Sequence, residues 1–202
     1  ISCVEISKDE AFSRIKAIPD MKGCNLADVV SRTESFSWND DGKYHMVVVD
    51  CGVKNSILNQ LAGNGFRVTV VPSSATSDAI MSLAPDAVLI SNGPGDPEPV
   101  SHVISLTQSF LGKLPLFGIC LGHQIITIAL GGRTYKLKFG HHGSNHPVKD
   151  LRTGKIDITS QNHNFCADMY SLNMNDVEIT HVNLNDNTVE GLKHRYLPLY
   201  SV

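Results

Sequence analysis

Residues Pro115 to Gln124 read Pro-Leu-Phe-Gly-Ile-Cys-Leu-Gly-His-Gln, an apolar strand that runs into a cysteine flanked by Gly118 and Gly122 and then enters a helix. This is the pattern of a nucleophile elbow carrying a thiol. The tight strand-to-helix turn lifts Cys120 out of the sheet, and the glycines remove side chains that would clash at the bend. At a helix start, Cys120 faces unpaired backbone N–H groups and the positive end of the helix dipole, both of which favour thiolate over thiol. The thiolate is the attacking form. A small cysteine packed at a strand end is the plain alternative, but it leaves the Gly-x-Cys-x-Gly frame unexplained.

Outward from the elbow, the chain of 202 residues, 42% hydrophobic and 18% charged, has the composition of an ordinary globular protein with room for one full domain and an appendage. A net charge of −3 supplies no basic field, so nucleic acid is not an expected partner. Cys3, Cys24, Cys51, Cys120 and Cys166 are odd in number and contain no Cys-x-x-Cys pair, which signals neither a disulfide framework nor a zinc site and fits a reducing, cytoplasmic compartment. No apolar run approaches a membrane span, and no secretory signal opens the chain. The sequence begins at Ile1 without methionine and ends at Val202 inside the apolar run Tyr196–Val202, so it reads as a fragment, truncated at its C-terminus.

Residues 1–43 mix a short apolar start, a charged stretch from Lys8 to Lys16 and a polar run from Thr33 to Lys43, and read as the tail of a preceding domain with a connector. Residues 44–202 are regular. Strands are expected at Tyr44–Asp50, Phe66–Val71, Ala87–Ser91 and Leu116–Ile119, alternating with helices at Lys54–Ala62, Thr76–Leu83, Val100–Leu111 and Leu121–Leu130. That alternation predicts an α/β fold with a doubly wound, mostly parallel sheet. Beyond Gly131 and Gly132 the chain turns strand-rich, with short strands expected at Thr134–Phe139, Lys155–Ser160, Val177–Asn183, Thr188–Lys193 and Tyr196–Val202. Ligands of such sheets gather beyond the carboxyl ends of the parallel strands, where Cys51 to Lys54, Asn92 to Pro99 and the elbow emerge.

Ser91-Asn-Gly-Pro-Gly-Asp-Pro97 reads as a rigid turn with bare backbone. Lying one strand before the elbow, its Gly93 N–H can join Leu121 N–H in holding the oxyanion formed when Cys120 attacks a carbonyl. Gln124, one helical turn after Cys120, can face the same pocket, whereas His123 points to a neighbouring face and makes a poor base for the thiol. Phe139-Gly-His-His-Gly-Ser-Asn-His-Pro147 and Gln161-Asn-His-Asn-Phe165 concentrate His141, His142, His146 and His163. Their spacing, in Gly/Asn-rich segments read as loops and without carboxylate or cysteine companions, does not match a closed zinc pattern, and no metal is expected.

These segments together resemble the class I glutamine amidotransferase domain, whose members work with a Cys-His-Glu triad. The resemblance covers residues 44–202, with residues 1–43 similar to the end of a first domain and its connector. Gly118-Ile-Cys-Leu-Gly-His-Gln124 belongs to the whole class. The three segments at Ser91–Pro97, Phe139–Pro147 and Gln161–Phe165 point to the branch that serves carbamoyl phosphate synthetases as a small, glutamine-hydrolysing subunit or domain. The resemblance implies a flavodoxin-like fold, Cys120 as nucleophile, Gly93 and Leu121 as oxyanion donors, and Gly95, Gln124, Asn162, Asn164 and Phe165 around bound L-glutamine. At Asn164 the family usually carries glycine; asparagine tolerates left-handed backbone and keeps such a turn while adding a side chain. The triad His and Glu are implied to lie in a His-Pro-Glu motif beyond Val202.

The activity so implied is hydrolysis of L-glutamine to glutamate and ammonia. The ammonia passes to a synthetase large subunit or fused synthetase domain, which makes carbamoyl phosphate for arginine or pyrimidine synthesis. ATP and magnesium are expected in that partner, and no cofactor in this domain, which carries no Gly-x-x-x-x-Gly-Lys phosphate loop. Two alternatives stand beside it: another amidotransferase of the class, such as the anthranilate type, and a non-catalytic module that binds glutamine or docks to a synthetase.

Overall fold

Met46-Val-Val-Val49 shows no polar alternation, and in the computed structural model, which describes residues 5–202, all four residues are buried. Only a strand covered on both faces reads this way. It lies in β2 (Tyr44–Asp50), at the centre of a unit whose elements follow α1 (Lys8–Ala17), α2 (Ala27–Val30) and β1 (Phe36–Asn39). After β2 come α3 (Asn55–Gly63), β3 (Phe66–Pro72), α4 (Ser77–Ser82), β4 (Ala87–Ile90), α5 (Ser101–Phe110), β5 (Leu116–Gly118) and α6 (Leu121–Ala129). The second half holds β6 (Arg133–Asp150), β7 (Ile156–Asp168), a 3-10 turn at Met169–Ser171, β8 (Val177–Asn183), β9 (Val189–His194) and β10 (Leu199–Ser201). The fold is mixed α/β. Cys3 lies outside the described residues.

The sheet runs β1-β3-β2-β4-β5-β10-β9-β7-β6-β8. Every pairing from β3 to β10 is parallel, because each pair is joined by a crossover rather than a hairpin. Successive side chains of β2 serve opposite faces. Val47 and Val49 pack with residues of α4, α5 and α6, while Met46 and Val48 pack with Leu58 of α3 and with Phe36 and Trp38 of β1. After β3 the chain crosses to the other side of β2 to make β4, so the two neighbouring connections diverge at the carboxyl ends of β2 and β4 and leave a crevice there.

From β10 onward the sheet is antiparallel, and β9 pairs with β8 as well as β7, so β9, β7, β6 and β8 close on themselves. The expected short strands at Thr134–Phe139 and Lys155–Ser160 are therefore too short, and the histidine segments are not loops. β6 and β7 form one long hairpin in which His141 pairs with His163 and His142 with Asn162. The register shifts between Lys136 and His141 and between Gly143 and His146. Those irregularities absorb Gly140 and Gly143, both at positive φ, and the Gly-rich composition that suggests a loop is the composition that bulges require. Asn164 is extended within β7 and has no positive φ, so the left-handed turn expected there is absent.

Residues 5–43 are tied to the sheet and its core. β1 extends the sheet antiparallel to β3, and Ala27 is fully buried with the core on the α5 side. Two buried carboxylates fasten this segment. Asp96 Oδ2 accepts from Gly23 N–H (2.8 Å), and Asp50 accepts from Arg32 N–H (3.1 Å) while its other oxygen takes Gly52 and Val53 N–H (both 2.9 Å).

A Cβ at Gly122 would overlap the Ile90 carbonyl oxygen and lie 2.7 Å from its carbon, whereas one at Gly63 meets nothing within 4 Å. Gly122→Ala should cost about 1–3 kcal/mol by overpacking. Gly63→Ala, at the end of α3, should be neutral or gain up to about 1 kcal/mol. Chemical denaturation of the two variants checks both; equal stabilities would contradict the packing at the elbow.

Candidate active site

Cys120 sits at φ 55°, ψ −105°, one of three non-glycine residues with positive φ among those described. Backbone strain of this kind persists only where the surroundings over-determine it. They do so here on three sides. Cys120 N–H donates to Val202 O (2.7 Å), Val202 N–H returns to Gly118 O (3.0 Å), and Gly122 packs against Ile90. A Cβ at Gly118 would lie 2.6 Å from Ile126 Cδ1, so β5 and α6 meet at a separation that only glycine permits.

The elbow opens into a cavity of about 690 Å³. Its walls include Gly93, Gly95, Gln124, Asn162, Asn164 and Phe165, and Cys120 lies on the same surface. Seven of the eight residues singled out in the sequence thus surround one space. The eighth, Leu121, is buried by side chain, but its backbone N–H, like that of Gly93, is oriented so as to lower the pKa of the Cys120 thiol. Gly93 is pressed against the Cys51 carbonyl, a position with no room for a Cβ, and Gly95 (φ +95°) packs on Cys24 and Leu26.

The polar side chains are committed to neighbours. Gln124 Nε2 donates to Phe165 O (2.8 Å), tying α6 to β7. Asn162 and Asn164, two residues apart and so on one face of β7, turn their Oδ1 atoms to His142 Nδ1 (2.9 Å) and Nε2 (3.2 Å). Asn164 Nδ2 contacts Met21 Sδ (3.4 Å), which brings the N-terminal segment to the cavity. His123 is buried, its Nδ1 2.8 Å from Ser201 Oγ and its pKa lowered by burial to about 4; it remains neutral and does not serve the thiol. No imidazole hydrogen-bonds Cys120 among the described residues.

The charge state of Cys120 corrects the expectation of a thiolate favoured by the helix terminus alone. Burial raises its pKa, the N–H groups of Leu121 and Gly93 and the ammonium of Lys54 lower it, Glu190 raises it, and the balance stays above an ordinary thiol. Lys54 and Glu190 were not distinguishable in the sequence: each is an unremarkable charge until the fold carries it to the cavity wall. Cys51 and Cys166 are pushed by burial to about 12 and about 11, and all four described cysteines are free.

The histidine segments also gather more than they display in the sequence. His141 and His163 converge with Glu190, and His141 additionally meets Asp186. The missing carboxylate companions come from β9 and the turn before it, well outside the motif.

The family described as Glutamine amidotransferase class-I matches residues 47–202, and the chain belongs to it. A carbamoyl phosphate synthase small chain from Aquifex aeolicus is 50% identical over all of this chain and 58% of its own length. One of the same name from Akkermansia muciniphila is 49% identical over 98% of this chain and 56% of its own. The chain thus spans little more than half the length of these relatives. The solved structure of a glutamine amidotransferase from Thermotoga maritima superposes with a TM-score of 0.62 over 79% of this chain and 74% of its own, at 14% identity, a likeness of fold. No described helix is long and apolar enough to cross a membrane.

Alkylation of Cys120 by iodoacetamide should accelerate with pH through an inflection above that of a free thiol, because the reactive thiolate forms late. Lys54→Met should slow it a few-fold near neutral pH and have no effect once the thiol is fully ionised. Mass-spectrometric rates across pH check this; an unchanged profile would remove Lys54 from the electrostatics of the site.

Proposed function

We propose that this chain is the glutamine-hydrolysing domain of a carbamoyl phosphate synthetase small subunit. The observation that carries the reading is Cys120 in a strained elbow on the wall of a cavity it shares with Gly93, Gly95 and Gln124. Likeness across the whole chain to small chains of that synthetase supports the branch.

Cys120 as thiolate attacks the side-chain carboxamide carbon of L-glutamine, and the C=O π pair moves onto oxygen. Gly93 and Leu121 N–H groups hold that oxyanion, preorganised on the rigid turn and the first turn of α6. Collapse expels the nitrogen, which leaves as ammonia after taking up the thiol's proton through a general base. Water then cleaves the thioester to glutamate and regenerates the thiol. The base is assigned to the His of a His-Pro-Glu motif after Val202: the Val202 carbonyl accepts from Cys120 N–H, so any residue following it enters at the elbow. Gly95, Gln124, Asn162, Asn164 and Phe165 form the glutamine pocket, Gln124 by holding β7 in place.

The parallel half, with helices against both faces, is the doubly wound part of the amidotransferase domain of residues 44–202, and residues 1–43 are the end of a first domain and its connector. The ammonia goes to a large subunit or fused synthetase domain, where ATP and magnesium are used, in a cytoplasmic enzyme. Neither nucleic acid nor a membrane takes part.

Cys120→Ser in the complete enzyme should abolish glutamine-dependent carbamoyl phosphate synthesis and leave ammonia-dependent synthesis intact, since only the ammonia source needs the thiolate. Synthesis from radiolabelled bicarbonate with each nitrogen donor makes the comparison. Glutamine-dependent activity near the unmutated level would overturn the nucleophile assignment.

A further inference from the structure

His141, His163 and Glu190 come from three strands, β6, β7 and β9, and aim one another's polar atoms at a common point. His141 Nδ1 lies 3.2 Å from Glu190 Oε1 and 3.4 Å from His163 Nε2, and His163 Nε2 lies 3.4 Å from Glu190 Oε2. The outer nitrogens fix the tautomers. His163 Nδ1 is 2.9 Å from the Phe165 carbonyl, which can only accept, so Nδ1 carries the hydrogen. His141 Nε2 is 2.7 Å from Asp186 Oδ2 and donates to that carboxylate in the same way. A neutral ring so oriented turns a bare lone pair inward, toward a carboxylate that, against the opposing effect of burial, also draws a proton there by raising the pKa of His163.

Glu190 is itself held, its Oε1 accepting from Asn183 Nδ2 (3.0 Å). The three side chains are only 7%, 10% and 9% exposed. Three acceptors facing one another where water is scarce repel unless positive charge lies between them. The spacing suits an ion: ligand atoms about 2.1 Å from a tetrahedral zinc stand about 3.4 Å apart. The surroundings suit it too, since histidines that bind a metal hand their other N–H to a carboxylate or a backbone carbonyl, which is what Asp186 and Phe165 provide.

We propose that His141, His163 and Glu190 bind a divalent cation of the zinc type, with its fourth position open to the cavity that His163 and Glu190 line. Two imidazoles and one carboxylate are a zinc-competent donor set. The ion pins the β6–β7 hairpin to β9 and fixes the stretch of β7 that carries Asn162, Asn164 and Phe165. This assignment does not rest on the proposed role of Cys120 in glutamine turnover, and it replaces the expectation of no metal, which considered the histidines without Glu190 and Asp186.

The test uses the complete protein carrying Cys120→Ser, so that the thiol cannot serve as a ligand, stripped with a chelator and titrated near neutral pH. Calorimetry with Zn²⁺ should give one ion per chain, and Co²⁺ should give the strong visible absorption of a four-coordinate site. Glu190→Gln and His141→Asn should weaken binding by roughly a hundred-fold or more, and Asp186→Asn, one shell out, by about 10- to 100-fold. Zinc should raise the melting temperature of the parent and not of the first two variants. Absence of stoichiometric binding by the parent, the result expected if ring protons alone balance Glu190, overturns the proposal without needing any variant to fold. Undiminished binding in folded Glu190→Gln and His141→Asn overturns it as well, by placing the ion elsewhere.

Discussion

Two hydrogen bonds at the edge of β5 hold the molecule's halves in one register: Cys120 N–H to Val202 O and Val202 N–H to Gly118 O. They continue the parallel ladder of β10 on β5, in which Leu199, Tyr200 and Ser201 face Leu116, Phe117 and Gly118. On its other side β10 is antiparallel to β9. One three-residue strand is therefore the seam between the parallel sheet that makes the elbow and the antiparallel ring that makes the opposite wall. The unusual backbone of Cys120 is fixed by that seam.

Reactivity at Cys120 is a contest between burial and a few oriented charges. A cavity deep enough to enclose a substrate withholds water from the sulfur, which favours the neutral thiol. Two N–H groups and Lys54 recover part of that loss without entering the chemistry as acids or bases. The same N–H groups are those proposed to hold the oxyanion, so on that proposal the features that lower the thiol's pKa and those that stabilise a tetrahedral intermediate are one set of atoms. Such economy follows from the strand-turn-helix geometry: the first N–H of α6 has no partner within its helix.

The parallel half was legible because its signals are local. The unbroken Met46–Val49 run, the Gly-x-Cys-x-Gly frame and the Asn92–Pro94 turn each declare a conformation within a few residues, and β2, β4, β5 and α6 stand close to where the sequence puts them. The second half was less legible because its order comes from pairing across long separations. Gly140, Gly143 and the asparagines near them carry loop composition, yet the ladder between β6 and β7 overrides it, and Asn164 lies extended where a turn was expected. In the site, residues next to motifs were found and those delivered by topology were not. Glu190 reaches the cavity only because β9 lies beside β7, Met21 only because Asp96 anchors Gly23, and nothing in their neighbourhoods marks either residue.

The position of β10 also dictates an order of assembly. Its partners, β5 and β9, are separated by the whole of β6, β7 and β8, and the parallel sheet keeps an unpaired edge at Leu116–Gly118 until Leu199–Ser201 has been synthesised and inserted. A chain emerging from the ribosome can complete β2, β3, β4 and their helices early, through crossovers of modest length. The elbow cannot be locked at that stage. The elbow of this fold is thus formed late, when the growing chain closes the sheet around it, and until then the half-built sheet offers an open edge to other chains.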